Sequence, residues 1–567
     1  MTRVNVFLCI VVALLLSACG KELPPTDTGE SEAAPTTEPG ARFIVQLRPD
    51  QSAADVSSAA VDFLGADTQT EPMFADIDDA ELQRYFLVTT TATESPQDAW
   101  ERARAFQATG GFTSVEPDRF DTLQDETARA RQAPAACVMD GSDAPVDKAW
   151  SLRNIKAVEA WALAPPAGGK RLGEGARICH PDTGWTVHDD LNNLDLGSAW
   201  NVIDDTNDAR DPKNDGLFLN PGHGTATGSV IGSSGGIDPD NGTVPPGVIT
   251  GVAPSATIVP IRTVNSVVQL FDSDVAQAVA YSVGAQCDVI SMSLGGRAFS
   301  GLKSAVRYAA DNGLIVIAAA GNCVGMVVAP AAYDDTVAAA ATNVDDEPWN
   351  GTSRGRAITI SAPGENVWVA DNQEDPDTPQ ATRPGTGTSF AVAEIAGAAA
   401  LWVAYYGREA IEEAASPRRV QDLFTDILQE TARVPQGWND RRYGSGILDV
   451  KSLLQADLSA ARAPTVAPTP PPFGEMVETL ANVTDREPTE VHDAFRIMLD
   501  DPADFESAIN LWGPELIDIA LRDPNAFNRM LDNALLTTPG ARDAGARAAA
   551  VREIDGLASR SLGDAIR

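Results

Sequence analysis

Three short strings carry residues whose types could together perform acyl transfer. They are Asp182-Thr183-Gly184, His223-Gly224-Thr225 and Gly387-Thr388-Ser389, in that order along the chain. Acyl transfer needs a hydroxyl nucleophile, an imidazole base and a carboxylate that orients the base. The small residues around each of the three let the backbone turn tightly. The sequence therefore predicts that the aspartate, the histidine and the serine act as one catalytic group.

The aspartate must be positioned by a strand. Asp182 follows the run Ala176–Pro181 and precedes a glycine turn, which suits a carboxylate at the carboxyl end of a sheet strand, where open α/β sheets place their sites. His180 is polar and Pro181 cannot donate a backbone hydrogen bond. We therefore expect a distorted strand at this point.

The histidine and the serine are predicted to begin helices. His223 opens a run of small residues that indicates a closely packed helix. Ser389 precedes Phe390–Trp402, a segment that is apolar almost all round and is therefore typical of a buried helix. The positive end of that helix dipole would favour negative charge developing beside the serine.

The order Asp, His, Ser, together with further motifs, resembles the subtilisin-like serine peptidases, the subtilases. The resemblance covers roughly residues 145 to 455, which is long enough for one large α/β domain. The supporting motifs are Gly251–Pro254, Asp288–Gly296, Leu314–Asn322, Ser361–Gly364 and Tyr443–Ile447. The implied fold is an α/β, three-layer domain built on a parallel sheet.

The resemblance also implies roles for residues outside the three strings. Ser293, Leu294 and Gly295 would pair with an extended substrate through main-chain hydrogen bonds. The amide of Asn322 would donate to the oxyanion. One departure is that Ala393 stands where the family has proline; because proline is merely tolerated in a first helical turn, this should adjust the helix start and leave the chemistry in place.

The predicted function is hydrolysis of peptide bonds by an exported serine endopeptidase through an acyl-enzyme intermediate. The alternative is a catalytically inactive surface lipoprotein with the same fold that binds peptides.

No cofactor is required by the predicted chemistry. A structural calcium stays open, because Asp190 falls near a position that subtilases use for it, and because acidic clusters offer oxygen ligands. The clusters contain Asp204, Asp205, Asp208 and Asp211, and Asp238, Asp240 and Asn241. His188 is expected at the surface.

The N-terminus predicts export and lipidation. Residues 1–19 read as a lipoprotein signal peptide, because an apolar run too short to span a membrane ends in Leu16-Ser-Ala-Cys19. Lipidated Cys19 would anchor the chain in a bacterial cell envelope; an ordinary signal peptide with an incidental cysteine is the alternative. Residues 20–41 cannot bury a core and indicate a disordered tether.

A small α+β domain is predicted at 42–120, where the pattern resembles the propeptide that precedes many subtilases. Its expected strands and helices are Phe43–Leu47, Ser52–Leu64, Tyr85–Thr90, Pro96–Thr109 and Phe112–Val115. A spacer or interaction domain is the alternative. The linker 121–144 is a plausible processing region, and a cut there would separate the lipid-bearing part from a soluble peptidase.

The peptidase domain is predicted at 145–458, a Pro-rich linker at 459–474 and a helical domain at 475–567. The helical domain repeats a pattern, Asp501-Pro-Ala-Asp-Phe505 and Asp523-Pro-Asn-Ala-Phe527, in which the first Asp caps a helix and Pro opens it. The sequence assigns this domain no function.

Charge and cysteine content narrow the partners and the compartment. The chain has 80 acidic and 42 basic residues, a formal net charge of −38, so sequence-independent binding to nucleic acid is disfavoured. In an exported domain Cys137, Cys179, Cys287 and Cys323 should form one or two disulfides, with three pairings possible. The family topology would place Cys179 and Cys287 on neighbouring strands. The expected partners are polypeptide substrates and, through Cys19, a membrane.

Overall fold

The computed structural model describes residues 41–91, 95–118, 144–213, 220–235, 244, 247–267, 271–371, 381–458, 473–499, 504–535 and 544–566. The predicted signal lies outside these residues, and so do 20–40 of the tether, 121–143 of the processing segment and 459–472 of the Pro-rich linker. Cys19, Cys137 and the cluster at 238–241 also lie outside them.

The N-terminal segment is an antiparallel sheet of four strands with two helices. Its elements are β1 Arg42–Leu47, α1 Ala53–Leu64, β2 Gln69–Pro72, β3 Tyr85–Thr89, α2 Pro96–Gln107 and β4 Phe112–Asp118. The strand order is β2-β3-β1-β4. The three expected strands and both helices are present. Strand β2 was not expected, because its polar sequence shows no apolar alternation, and it lies at the edge of the sheet, where such a strand is tolerated.

The central segment is an α/β domain whose main sheet has seven strands in the order β11-β10-β9-β8-β5-β7-β6. Every pair in it is parallel. The strands are β5 Arg177–Asp182, β6 Trp200–Asn201, β7 Thr257–Arg262, β8 Val289–Met292, β9 Ile315–Ala319, β10 Val337–Thr342 and β11 Ile360–Pro363; β12 Val367–Ala370 and β13 Thr382–Gly385 form a separate hairpin. The predicted parallel-sheet fold class is confirmed.

Helices cover the sheet on both faces, as parallel strands require. They are α3 Trp150–Asn154, α4 Ala157–Trp161, α5 His223–Gly232, α6 Asp272–Gly284, α7 Ser300–Asp311, α8 Thr388–Tyr406, α9 Arg408–Ala415, α10 Val420–Glu430, α11 Asp440–Tyr443 and α12 Val450–Leu454. Helices α5 and α8 pack in one apolar core, and α6 and α7 pack in the other.

Helix α8 passes the length and composition test for a membrane span among the described residues. Its most apolar window is 94% buried inside the protein. It is therefore a core helix, as the apolar run after Ser389 predicts.

Strand β5 is more regular than its sequence suggests. It pairs with β7 without a break from Arg177 to Asp182, whereas β8 pairs only with Ile178 and Cys179. The ladder with β8 therefore stops before Pro181, so the missing N–H of that residue interrupts no ladder on this side.

The C-terminal segment is helical, as expected. Its helices are α13 Glu475–Thr484, α14 Pro488–Met498, α15 Phe505–Arg522, α16 Pro524–Leu535, α17 Ala544–Glu553 and α18 Arg560–Ile566. The second repeat behaves as predicted: Asp523 accepts from the Ala526 N–H at 2.9 Å, and Phe527 is buried. In the first repeat the cap of α15 is Asp504.

From Gly40 onward the chain is one compact unit. The apolar core that contains β7 and β8 continues into the C-terminal helices, with Leu480 and Phe495 among its members. It also takes in Ile44 and Tyr85 from the N-terminal sheet. The three segments therefore share buried surface and are not separately packed domains.

Candidate active site

Asp182 and His223 form a hydrogen-bonded pair at the carboxyl edge of the sheet. The imidazole Nδ1 lies 2.8 Å from Asp182 Oδ1 and 3.0 Å from Oδ2. The carboxylate is fully buried and also accepts from the Thr183 N–H at 2.7 Å. Burial alone would raise the pKa of Asp182, but the charge and hydrogen bond of His223 outweigh it, so the pKa lies below its usual value. The aspartate is therefore ionised and fixes the imidazole with Nε2 free to accept a proton.

Two glycines let strand β5 and helix α5 approach closely enough to make this pair. A Cβ on Gly224 would lie 2.2 Å from the carbonyl oxygen of Gly184 and 3.2 Å from Asp182 Cβ. Gly184 itself has φ of +103°, and a Cβ there would lie 2.4 Å from the carbonyl oxygen of Ala209. Gly224 is therefore required by its contact with Gly184, and Gly184 by its positive φ and its contact with Ala209.

Asp211 connects the residues that flank the pair. One of its carboxylate oxygens accepts from Thr183 Oγ1 at 2.8 Å and from the Gly222 N–H at 2.7 Å. Thr183 Oγ1 in turn accepts from the Gly224 N–H at 3.1 Å. The sequence placed Asp211 in an acidic cluster for calcium, and only the fold shows that it ties the aspartate turn to the start of α5.

His180 lies behind the pair and is neutral. Its Nδ1 lies 3.2 Å from the carbonyl oxygen of Ser291, so Nδ1 carries the proton, and its Nε2 accepts from Thr227 Oγ1 at 2.9 Å. Burial lowers the pKa of His180. The 3.7 Å approach of its Nε2 to Asp182 is therefore not an ion pair.

Ser389 lies in the first turn of α8, beside Asn322. Asn322 Oδ1 accepts from the Thr388 N–H at 2.9 Å and from Thr388 Oγ1 at 2.8 Å. These two bonds identify the amide oxygen and leave Nδ2 as the donor. A Cβ on Gly387 would lie 3.1 Å from that Nδ2. The first N–H groups of a helix have no intrahelical acceptor, so backbone and side-chain donors meet beside the serine.

A small pocket of about 40 Å³ joins the serine to the predicted substrate strand. It is lined by Val267, Ser293, Leu294, Gly295, Ala319, Gly321, Asn322, Val324, Val328, Thr388 and Ser389. Ser389 Oγ donates to the carbonyl oxygen of Ser293 at 3.2 Å, and Ser293 Oγ donates to the carbonyl oxygen of Ser389 at 2.9 Å. The structure therefore brings Asn322, Ser389 and the segment 293–295 together. The Gly295 N–H is already taken, by the carbonyl oxygen of Val267 at 3.2 Å.

One of the three disulfide pairings that the sequence left open is present. Cys179 on β5 is bonded to Cys287, which precedes β8. Cys323, directly after Asn322, is also disulfide-bonded, and its partner lies outside the described residues. A disulfide next to Asn322 restrains the loop that carries the predicted oxyanion donor.

Among the described residues, the candidate calcium ligands Asp190, Asp204, Asp208 and Asp211 are not gathered into one site. In the part of the chain that the structure describes, no three His, Cys, Asp or Glu side chains are arranged to hold a metal ion. Asp204 pairs with Arg262, and Asp208 pairs with Arg210. Asp190 uses its backbone oxygen to accept from Ser233 Oγ at 2.9 Å. These residues do not form a ligand set, and no reaction step is assigned to a metal.

The surface position expected for His188 is wrong. The residue is buried, its Nε2 lies 3.0 Å from the carbonyl oxygen of Ala381, and its Nδ1 accepts from the Asp190 N–H at 3.2 Å. It therefore supports the loop after Asp182 by bonding to the chain segment before β13.

The structure shows two groups of residues, the Asp182–His223 pair, and Ser389 at the start of α8 beside Asn322. The Ser389 hydroxyl donates to Ser293, and the described residues show no hydrogen bond from it to His223. On a parallel α/β sheet, these residue types point to the class of serine hydrolases. The sequence profile of the subtilase family matches residues 173–446. Thermitase of Thermoactinomyces vulgaris is 33% identical over 261 residues, which cover 46% of this chain and 82% of thermitase. The major intracellular serine protease of Bacillus subtilis (strain 168) is 30% identical over 311 residues, covering 52% and 84%.

Among solved structures, a protease from Pseudoalteromonas arctica covers 56% of this chain and 100% of that chain, with 24% sequence identity and a TM-score of 0.45. The chain belongs to the subtilase family of serine-type peptidases. Its substrates are polypeptides, as for the proteases it resembles.

Proposed function

We propose that the chain is an exported serine endopeptidase in which Ser389 attacks the peptide carbonyl, His223 takes its proton and Asp182 orients the imidazole. The single observation that carries the assignment is the buried carboxylate of Asp182 bonded to His223 Nδ1 at 2.8 Å. It leaves Nε2 as the only basic nitrogen of that ring. Asn322 Nδ2 and the Ser389 N–H are the donors for the oxyanion of the tetrahedral intermediate.

Substrate binding prepares the nucleophile in this proposal. The Ser389 hydroxyl donates to the carbonyl oxygen of Ser293. An extended peptide that donates its own N–H to Ser293 competes for that acceptor and frees the hydroxyl to turn to His223. Pairing of the peptide with Gly295 further requires that the carbonyl of Val267 withdraw. Extended, unfolded or loop segments are the substrates that can make such main-chain bonds.

A fluorophosphonate probe tests the assignment. The processed protein should be labelled on Ser389 and should hydrolyse an unfolded protein substrate. Ser389→Ala should lose labelling and fall to the residual rate of roughly 10³- to 10⁴-fold over water that oxyanion donors and binding supply. Ser361→Ala is the matched control, because it removes another buried serine hydroxyl, one that donates to the carbonyl oxygen of Tyr443 and does not line the pocket at Ser389. Absence of labelling after removal of the N-terminal segment would favour the inactive peptide binder.

The N-terminal segment acts as a propeptide-like domain in this proposal. Two carboxylates of β4 meet the first turns of the paired helices α6 and α7. Asp118 accepts from the Asp272 N–H at 3.0 Å, and Glu116 accepts from the Ser300 N–H at 3.0 Å. Carboxylates in those positions are favoured by the helix dipoles.

Export and anchoring rest on the sequence of residues 1–19. Cys19 carries the lipid in this proposal, in a bacterial cell envelope. Metabolic labelling with a fatty acid should mark the parent protein and should be lost in Cys19→Ser, whereas Cys9→Ser, which changes a cysteine inside the signal, should keep the label. Labelling that survives Cys19→Ser would contradict the anchor.

A further inference from the structure

The C-terminal helices contact both other segments of the chain. Toward the catalytic domain, Arg307 pairs with Glu475 at 2.7 Å, and Asn482 Nδ2 donates to the carbonyl oxygen of Ala332 at 2.9 Å. The backbone N–H of Arg356 also donates to Asp485 at 3.0 Å. These contacts join helix α13 and the residue that follows it directly to the catalytic domain.

Helix α2 of the N-terminal segment presents one polar face to these same helices. Gln97, Trp100, Glu101 and Arg104 are spaced i, i+3, i+4 and i+7, so they share a face. Glu101 accepts from the Ser561 N–H at 2.9 Å and from its hydroxyl at 3.0 Å. Gln97 donates to the carbonyl oxygen of Gly556. Ala103 and Phe106 pack in the core of the N-terminal sheet, and the ring of Trp100 also contributes to that core.

Arg104 inserts between the N-terminal and C-terminal segments. Its side chain is 7% exposed, and its guanidinium lies 5.0 Å from the ring of Trp512 and 3.8 Å from Glu515. Glu515 is fully buried. Removing a buried charge from such a pair is costly, because the partner charge is left without compensation.

Asp518 joins all three segments at one buried carboxylate. It accepts from Trp100 Nε1 of the N-terminal segment at 3.0 Å and from Arg297 of the catalytic domain at 3.3 Å. Its own helix supplies Arg522 at 3.0 Å. Trp100 also stacks on Phe299 of the catalytic domain, with ring centroids 6.4 Å apart.

We propose that the C-terminal helical segment is a docking surface for the N-terminal segment, and that it keeps the N-terminal fragment bound as a non-covalent subunit after the chain is cut between them. The proposal rests on the proposed function only for the cut itself. Its consequence is that the lifetime of the cut complex depends on the C-terminal helices in addition to the catalytic domain. A lipid on the N-terminal fragment would continue to hold the peptidase, and the fragment would leave only after its contacts with both the C-terminal helices and helices α6 and α7 are broken.

The test uses a cut that does not depend on the protein's own activity. A recognition sequence for a site-specific protease is inserted in the linker 121–144 of full-length Ser389→Ala, with an affinity tag at the C-terminus. After cutting, the immobilised protein is washed, and the N-terminal fragment left on the resin is measured over time. We expect the fragment to stay bound through many washes.

Two variants act from opposite sides of the surface. Glu101→Ala removes two charged hydrogen bonds, and Trp512→Leu removes the ring beside Arg104; each should speed loss of the fragment about tenfold or more. Asp62→Ala, an exposed carboxylate on the other helix of the same segment, should change nothing. Thermal unfolding of the uncut chains shows whether each variant is folded, and Trp512→Leu tests the surface without touching the N-terminal segment.

The proposal is overturned if the parent fragment washes away at once. It is also overturned if both variants lose the fragment no faster than Asp62→Ala does. Failure of the peptidase assignment would show separately, as absence of fluorophosphonate labelling on Ser389, because the engineered cut needs no activity from this chain.

Discussion

At the residue scale, Asn322 and Thr388 make a graded test of oxyanion stabilisation. Asn322→Ala removes the donor, and turnover should fall roughly 100- to 1000-fold with little change in KM. Thr388→Val keeps the shape but removes the hydroxyl that holds the amide oxygen, so kcat should fall by a smaller factor of about ten. Steady-state kinetics on a peptide substrate decide it. Loss of affinity alone would make Asn322 a structural residue.

Asp211 is expected to position the catalytic pair without touching substrate. Asp211→Ala leaves the Thr183 hydroxyl and the Gly222 N–H without their acceptor. Because the turn and the helix start then shift, kcat should fall roughly 10- to 100-fold. KM should change little, and the acid limb of the kcat/KM profile should move as the Asp182–His223 geometry loosens.

Asp208→Ala is the control for that change, since Asp208 is an exposed carboxylate three residues away that pairs with Arg210. Equal losses of kcat in Asp211→Ala and Asp208→Ala would show that Asp211 has no specific role in positioning the catalytic pair. A loss confined to thermal stability, with kcat and the pH profile unchanged, would make its role structural.

Motif residues were predictable from the sequence because their neighbours are local. The glycine after Asp182 and the glycine after His223 stand in the strings themselves. Asp211 was not predictable, since its partners lie 28 and 11 residues away along the chain and only the fold brings them together. His188 was misjudged for the same reason, because its acceptor, Ala381, is 193 residues away.

At the element scale, helix α8 carries a buried acid that the chemistry does not use. Burial raises the pKa of Glu394 to about 8, and the hydroxyl of Ser151 offsets only a small part of this. The folded pKa is above the unfolded one, so the folded state binds the proton more tightly. Stability is therefore lost as pH rises from about 4 to about 8.

Glu394→Gln keeps the shape and cannot ionise. It should be more stable than the parent at pH 8, by something of the order of 2–4 kcal/mol, and the two should converge near pH 5. Glu413 is an exposed glutamate on α9, and Glu413→Gln should leave the free energy of unfolding unchanged at both pH values. Chemical denaturation at both pH values measures this. A gain of equal size at pH 5 and pH 8 would rule out ionisation as the cause.

Elements with strong periodicity were predictable, and those with weak patterns were not. The apolar run Phe390–Trp402 predicted α8, which extends from Thr388 to Tyr406 and so continues four residues beyond that run. Strand β2 has the sequence Gln-Thr-Glu-Pro, and only pairing with β3 makes it a strand. The sequence predicted a distorted β5 because Pro181 cannot donate a hydrogen bond. It does not show that the ladder with β8 ends before Pro181, so that the missing N–H interrupts no ladder on that side.

At the scale of the whole molecule, the packing of the three segments against one another could not be predicted from the sequence. Each predicted segment was read from its own pattern, and none of those patterns states what it docks on. Trp100, Glu101 and Arg104 look like an ordinary helix surface in sequence. The structure shows them covered by helices from more than 400 positions further along the chain, and this contact changes the expected result of cleavage from release to retention.

We expect the same packing to make docking of the N-terminal segment depend on pH. Asp274 lies in the first turn of α6 beside Arg42 and Asp118 of the N-terminal segment, and Ser273 Oγ donates to it at 3.3 Å. Burial raises the pKa of Asp274 to about 6, and the charge of Arg42 opposes this only in part. Burial also raises the pKa of the neighbouring Asp272 and Glu116.

When the N-terminal segment leaves, Asp274 becomes exposed and its pKa should return to about 4. The docked state therefore binds the proton more tightly, so docking strengthens as pH falls from about 6 to about 4 and weakens as pH rises through 6. For this one group, the cut N-terminal fragment should bind about tenfold more tightly at pH 5 than at pH 7.5. Affinity measurements with the cut Ser389→Ala protein at the two values check it. Asp274→Asn should reduce the difference, and tighter binding at pH 7.5 would contradict the sign.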